Sequence, residues 1–141
     1  MAKILVSACL LGCNCRYDGL SKPNEKVLAL AKDNVLIPVC PEQMGGLTTP
    51  RIPSERQQNS NRILAKDGSD VTDNYQKGVA MALQIAKLNN IDYAVLKAGS
   101  PSCGKGLIYD GTFSGNKIPG NGITVETLLK EGYKVLSDEE L

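Results

Sequence analysis

"KILVSAC", residues 3–9, is the stretch that decides the fold. An almost unbroken apolar run closes on a cysteine, with no alternation of polar and apolar positions. A strand with one wet face alternates, whereas a continuous run is buried on both faces, as in a parallel sheet covered by helices. Three further segments read the same way: VLIPV (Val35–Val39), YAVLK (Tyr93–Lys97) and YKVL (Tyr133–Leu136). The first strand itself is expected over Lys3–Ala8.

Helical patterns lie between these runs. Residues 24–32 place Val27, Leu28, Leu30 and Ala31 on one side, after a start marked by Ser21 and Pro23. Thr72 is expected to cap a longer helix carrying Tyr75, Val79, Ala82, Leu83 and Ala86, the stripe of a helix that lies on a sheet. Thr124 is expected to cap a short last helix through Leu129, stopped by Gly132. Strand and helix in alternation predict an α/β fold: a single domain over 1–141, with three layers built on an open parallel Rossmann-like sheet and helices on both faces. Residues 41–70 and 104–122, the latter with six glycines, show no period. Loops of that length inside a domain are usually functional or mobile.

Composition narrows the function. A chain of 141 residues, 42% hydrophobic and 22% charged, has room for a proper core. The net charge is +1 with no basic block, and one Phe, five Tyr and no Trp offer few stacking platforms. Both features argue against nucleic acid as the ligand. No apolar run is long enough to span a bilayer. "VSAC" (Val6–Cys9) resembles a lipoprotein cleavage box, but only five residues precede it and Lys3 interrupts them. A signal peptide needs a longer apolar stretch, so a cytoplasmic protein is expected.

The cysteines are Cys9, Cys13, Cys15, Cys40 and Cys103, and there is no histidine. An odd number in a reducing compartment disfavours structural disulfides. Cys9 follows the first expected strand, Cys40 the second, and Cys103 lies six residues past the third. Ligands of an open parallel sheet bind beyond the carboxyl ends of its strands, so these three thiols should meet at one rim. Ordinary core filling explains one such cysteine but explains three poorly. Three thiolates without imidazole suit zinc or an iron–sulfur cluster. Glu42, two residues from Cys40, is the best-placed proton carrier, and Ser100 and Ser102 flank Cys103. Cys13 and Cys15 form a C-x-C pair that receives no primary role.

"GSPSCGKG" (99–106) nearly spells a phosphate-cradling loop, yet Gly106 stands where a hydroxyl should ligate magnesium. No helix pattern follows in "LIYDGTFSG", and Pro101 removes a backbone donor. The glycines are better explained by backbone amides that approach a cluster or anion closely.

These residues carry a resemblance. "SACLLG" (7–12) with "RYDG" (16–19), "PVCPE" (38–42), "TPR" (49–51) and "SPSCG" (100–104) are similar to the bacterial family catalogued as domain of unknown function 523, over essentially the whole chain. That family includes the thiouracil desulfurases. The resemblance implies a 4Fe-4S cluster held by Cys9, Cys40 and Cys103 with one iron not bound by protein, and catalytic roles for Glu42 and Ser100. It implies non-redox removal of sulfur from a thiocarbonyl, the partner being a small thiolated pyrimidine such as thiouracil. The open iron would polarise the C=S bond while water, relayed by Glu42, attacks the carbon. Ser102, Asp18 and Arg51 are candidate substrate-binding residues, and zinc is a conceivable adventitious substitute for the cluster. The alternative is a non-enzymatic carrier of metal, cluster or persulfide, which would need the three cysteines but not Glu42 or Ser100.

Overall fold

The computed structural model describes residues 1–141. The chain begins with β1 (Lys3–Ser7), a 3-10 turn at Ala8–Leu11, helix α1 (Glu25–Leu30), β2 (Val35–Val39) and the single-turn helix α2 (Pro41–Met44). A hairpin follows, β3 (Ser54–Arg56) and β4 (Ile63–Ala65), and then the long helix α3 (Thr72–Asn89) and β5 (Tyr93–Leu96). A second hairpin, β6 (Leu107–Tyr109) and β7 (Lys117–Pro119), precedes α4 (Ile123–Lys130), β8 (Lys134–Ser137) and a closing 3-10 turn at Asp138–Glu140.

The continuous apolar runs become one parallel four-stranded sheet in the order β2-β1-β5-β8. Because side chains alternate across a strand, each run feeds both faces. Leu5, Ala94, Leu96 and Val135 pack with Ala86, Val125 and Leu128 of α3 and α4. Ile4, Val6 and Val95 pack on the other side with Leu10, Cys15 and Val27. Leu5 and Leu96 are completely buried, so truncating either to alanine would cost about 2–5 kcal/mol. The expected three-layer α/β architecture is present. No helix is long and apolar enough to cross a membrane.

Several boundaries differ from expectation for local reasons. The first strand stops at Ser7, and the chain tightens into a 3-10 turn closed by Gly12 in the left-handed region at φ 98°. Asn24 caps α1, its side chain accepting from the amides of Lys26 and Val27. Thr72 lies inside α3 rather than capping it; its hydroxyl accepts the Ile63 amide at 2.9 Å and so ties the helix to β4. Thr124 likewise lies inside α4, behind Gly122. The two long aperiodic segments each contain a short antiparallel hairpin. Three-residue strands are too short to show a period, which is why the sequence hides them.

α2 and α3 cross closely enough to require glycine on both. A Cβ at Gly78 would overlap the Pro41 carbonyl oxygen, and one at Gly45 would overlap that of Asn74. The Asn74 side-chain amide also donates to the Gly45 carbonyl at 2.9 Å. This contact fixes the short helix that carries Glu42.

Candidate active site

The chain leaves β1 toward β2 on one side and later places β5 on the other. The strand order therefore reverses between β1 and β5, where an open sheet forms its crevice. The Lys97 amide, just past β5, donates to the hydroxyl of Ser7 at the end of β1 at 2.9 Å. A cavity of about 440 Å³ opens above this point. Cys9 reaches it from the 3-10 turn after β1, Cys40 from the N-cap of α2 after β2, and Cys103 from the turn after β5. Three cysteines far apart in sequence thus line one cavity, at the rim where parallel-sheet topology places them.

Glu42, Arg51 and Ser100 lie in the same cavity. Pro41 begins α2, which puts Glu42 in its first turn with the residue only 9% exposed. Burial raises its carboxyl above the usual range, opposed by the Arg51 guanidinium and by a hydrogen bond from Ser100. Arg51 Nη2 is 3.8 Å from Glu42 Oε2. The guanidinium is itself anchored by the carbonyls of Cys15 (3.0 Å) and Thr48 (3.3 Å) and by the Thr49 hydroxyl (3.1 Å).

The Ser100 hydroxyl accepts the amides of Ser102 and Cys103, each at 3.0 Å. Its remaining proton points to Glu42 Oε2 at 3.5 Å. One hydroxyl therefore shapes the turn that presents Cys103 and contacts the buried carboxylate.

A fourth thiol, Cys15, stands beside the others. It is 5% exposed, and its carbonyl accepts both Arg51 Nη2 and the Cys40 thiol, the latter at 3.8 Å. Cys40 in hydrogen-bonding reach pulls the Cys15 thiol down, but the Cys9 thiol and burial outweigh it and push it up to about 11. The Cys40 thiol is raised by the Cys15 thiol and then by burial, and the Cys103 thiol by burial and then by the charge of Glu42. Thiols raised in this way, those of Cys15, Cys40 and Cys103, favour their protonated form until a metal centre displaces the proton.

No group of three His, Cys, Asp or Glu side chains closes around one ion. The all-sulfur donor set at the cavity, without imidazole, is the chemistry of a thiolate-bound cluster, and the zinc substitute finds no support.

Other expected residues lie elsewhere. Ser102 is completely buried and its hydroxyl bonds Thr124, holding the Cys103 turn to the start of α4, so it does not face the cavity. Asp18 turns outward, paired with Arg16 at 3.4 Å and accepting the Leu20 amide at 3.0 Å, while its neighbours Arg16 and Tyr17 reach the cavity. Cys13 is exposed. Conversely, Ser7, Tyr75 and Lys97 line the cavity without having been singled out, and Cys15, given no primary role, lines it as well. Ser7 and Lys97 carried a signal: each is a polar residue closing an otherwise apolar strand. Tyr75 carried none, because a tyrosine in a helical stripe reads as core.

Known proteins resemble this chain over nearly its whole length. The family model described as 2-thiouracil desulfurase matches residues 4–140. The uncharacterized protein YbbK of Bacillus subtilis (strain 168) is 43% identical over 146 residues, which span 98% of this chain and 97% of that protein. Among solved structures, the 4Fe-4S-dependent thiouracil desulfidase TudS matches with a TM-score of 0.93 and 42% identity, over 100% of this chain and 93% of that one.

Proposed function

The chain belongs to the 2-thiouracil desulfurase family and is an enzyme, and on that premise we propose that it hydrolyses the thiocarbonyl of a small thiolated pyrimidine such as thiouracil, with water replacing sulfur as C=S and H₂O become C=O and H₂S. Cys9, Cys40 and Cys103 would hold a 4Fe-4S cluster. When bound, that cluster supplies an iron without a protein ligand, a soft Lewis acid suited to a thiocarbonyl sulfur.

The remaining steps fall to this chain's own groups. Glu42 accepts a proton from the attacking water and returns it to the departing sulfur, a role that buried carboxyls with raised pKa values serve well. Ser100, donating to Glu42 Oε2, fixes the carboxyl rotamer and leaves the other oxygen for water. Arg51 keeps the carboxyl from settling permanently in its neutral form. The cavity is walled by apolar as well as polar side chains, so it offers a planar ring apolar contact while leaving room for the attacking water.

The single observation that carries this reading is a buried carboxyl, hydrogen-bonded to a serine, in the cavity that three thiols line. The test is Glu42→Gln in anaerobically prepared protein. Absorbance near ~400 nm from thiolate-bound iron should persist. Formation of uracil from 2-thiouracil should fall by about 10²–10⁴-fold. Full turnover in this variant would sink the hydrolytic scheme. A carrier of metal or sulfur would have no need of the carboxyl at all.

A further inference from the structure

The glycine-rich stretch 104–122 supplies one wall of the cavity through Tyr109, Phe113, Gly115 and Lys117 of the β6–β7 hairpin. Phe113 is the only phenylalanine in the chain. It is half-buried yet packs into none of the three buried apolar clusters. Its backbone has φ 58°, in the left-handed region where a bulky side chain is an outlier.

That conformation is held from outside the hairpin. Glu55 Oε1, on β3, accepts the amides of both Gly111 (3.0 Å) and Phe113 (3.1 Å). The Gln57 side-chain amide adds a contact to the Gly111 carbonyl at 3.4 Å. Strained backbone that the surroundings over-determine is characteristic of ligand clamps. The ring joins no buried core cluster in this arrangement; it gains a fixed position on the cavity that the site thiols also line.

We propose that Phe113 is the stacking face for the planar ring of the substrate, and that Glu55 is its positioning residue. This specifies the substrate as a flat heteroaromatic thiocarbonyl, and it rests on the desulfurase reading above. Stacking on an aromatic ring is sequence-tolerant because every base has a π face. Phe113 would therefore favour ring substrates over acyclic thioamides without choosing among thiolated pyrimidines.

The test combines steady-state kinetics on the iron-loaded enzyme with equilibrium dialysis of 2-thiouracil, the dialysis run on each protein also in a Glu42→Gln background that retains iron without turnover. Phe113→Ala should weaken binding and raise KM by about tenfold while kcat stays within about twofold. Phe113→Trp should stay within about threefold of wild type, and Phe113→Leu, similar in bulk but without a π face, should resemble the alanine variant. All three keep a β-carbon, so backbone strain is common to them. Glu55→Ala should raise KM with kcat and cluster absorbance retained, and Glu55→Gln, which keeps an acceptor oxygen, should restore it in part. Unchanged binding in Phe113→Ala, or binding as weak in Phe113→Trp as in Phe113→Ala, overturns the stacking role. A wild type that binds 2-thiouracil without converting it overturns the activity instead and leaves the stacking face standing.

Discussion

The guanidinium of Arg51 lies 3.8 Å from the carboxylate of Glu42, with both side chains close to nine-tenths buried. A surface pair at that distance would be worth little, but a buried one is costly to break because the surviving charge has no water. Arg51 also holds the carbonyls of Cys15 and Thr48, so it braces the segment that carries Cys15 and faces the Glu42 carboxyl at once.

Arg51→Lys should therefore behave as a severe change despite keeping the charge. A lysine ammonium cannot reproduce a planar fork that donates to three acceptors while facing a carboxylate. We expect kcat for 2-thiouracil to drop at least ~10-fold, with iron content retained. Wild-type kcat in Arg51→Lys would reduce Arg51 to a bystander.

The thiols divide by position. Cys9, Cys40 and Cys103 come from three strand ends, whereas Cys15 sits among them on the loop before α1, with no strand leading into it. Replacing Cys9, Cys40 or Cys103 by alanine should remove nearly all bound iron and sulfide. Cys13→Ala, at an exposed site, should keep about four of each per chain. Cys15→Ala should do the same, at a modest loss of melting temperature from the small cavity it leaves. Elemental analysis of the anaerobic proteins decides this, and iron loss in Cys15→Ala would make it a fourth ligand.

The strands and the meeting of Cys9, Cys40 and Cys103 were legible because they follow from one rule: continuous apolar runs make a parallel sheet, and its carboxyl ends make a rim. Glu42 and Ser100 were legible as neighbours of those cysteines. What escaped were contacts made through space by residues of ordinary appearance. Cys15 has no strand before it, and Tyr75 matches the helical stripe that also buries Val79 and Ala82. Ser102 misled for the same reason. Adjacency to Cys103 says nothing about which way a side chain leaves a tight turn, and this one leaves toward Thr124.

Ser102 and Thr124 consequently offer a stability test free of catalysis. The two hydroxyls are buried and bonded to each other. Ser102→Ala strands the Thr124 hydroxyl and should cost about 1–3 kcal/mol, while KM for 2-thiouracil stays unchanged. The double variant Ser102→Ala with Thr124→Val should recover most of that loss, since removing both partners leaves no orphan. Thermal melts of the two proteins decide this, and equal destabilisation in both would show that the hydrogen bond is not the cause.

The acid limb of stability should depend on Glu126. Its Oε2 meets Arg56 Nη1 at 2.9 Å, and the same guanidinium holds the carbonyls of Asn121 and Ser60, pinning β3 to the start of α4. The hydrogen bond from Arg56, followed by that cation's charge, lowers the Glu126 carboxyl below its ordinary range. A lowered carboxyl binds its proton later in the folded chain than in the unfolded one. Its contribution is therefore complete above the unfolded value near 4.5 and is lost as pH falls through the folded value. The Glu126 side chain is about a third exposed, so solvent screening limits the effect to about 1 kcal/mol. Glu126→Gln should melt about 3–4 °C lower than wild type at neutral pH. The gap should narrow as pH drops below about 4 and close where wild-type Glu126 is itself protonated. A gap that stayed constant across that range would mean that packing, not charge, joins β3 to α4.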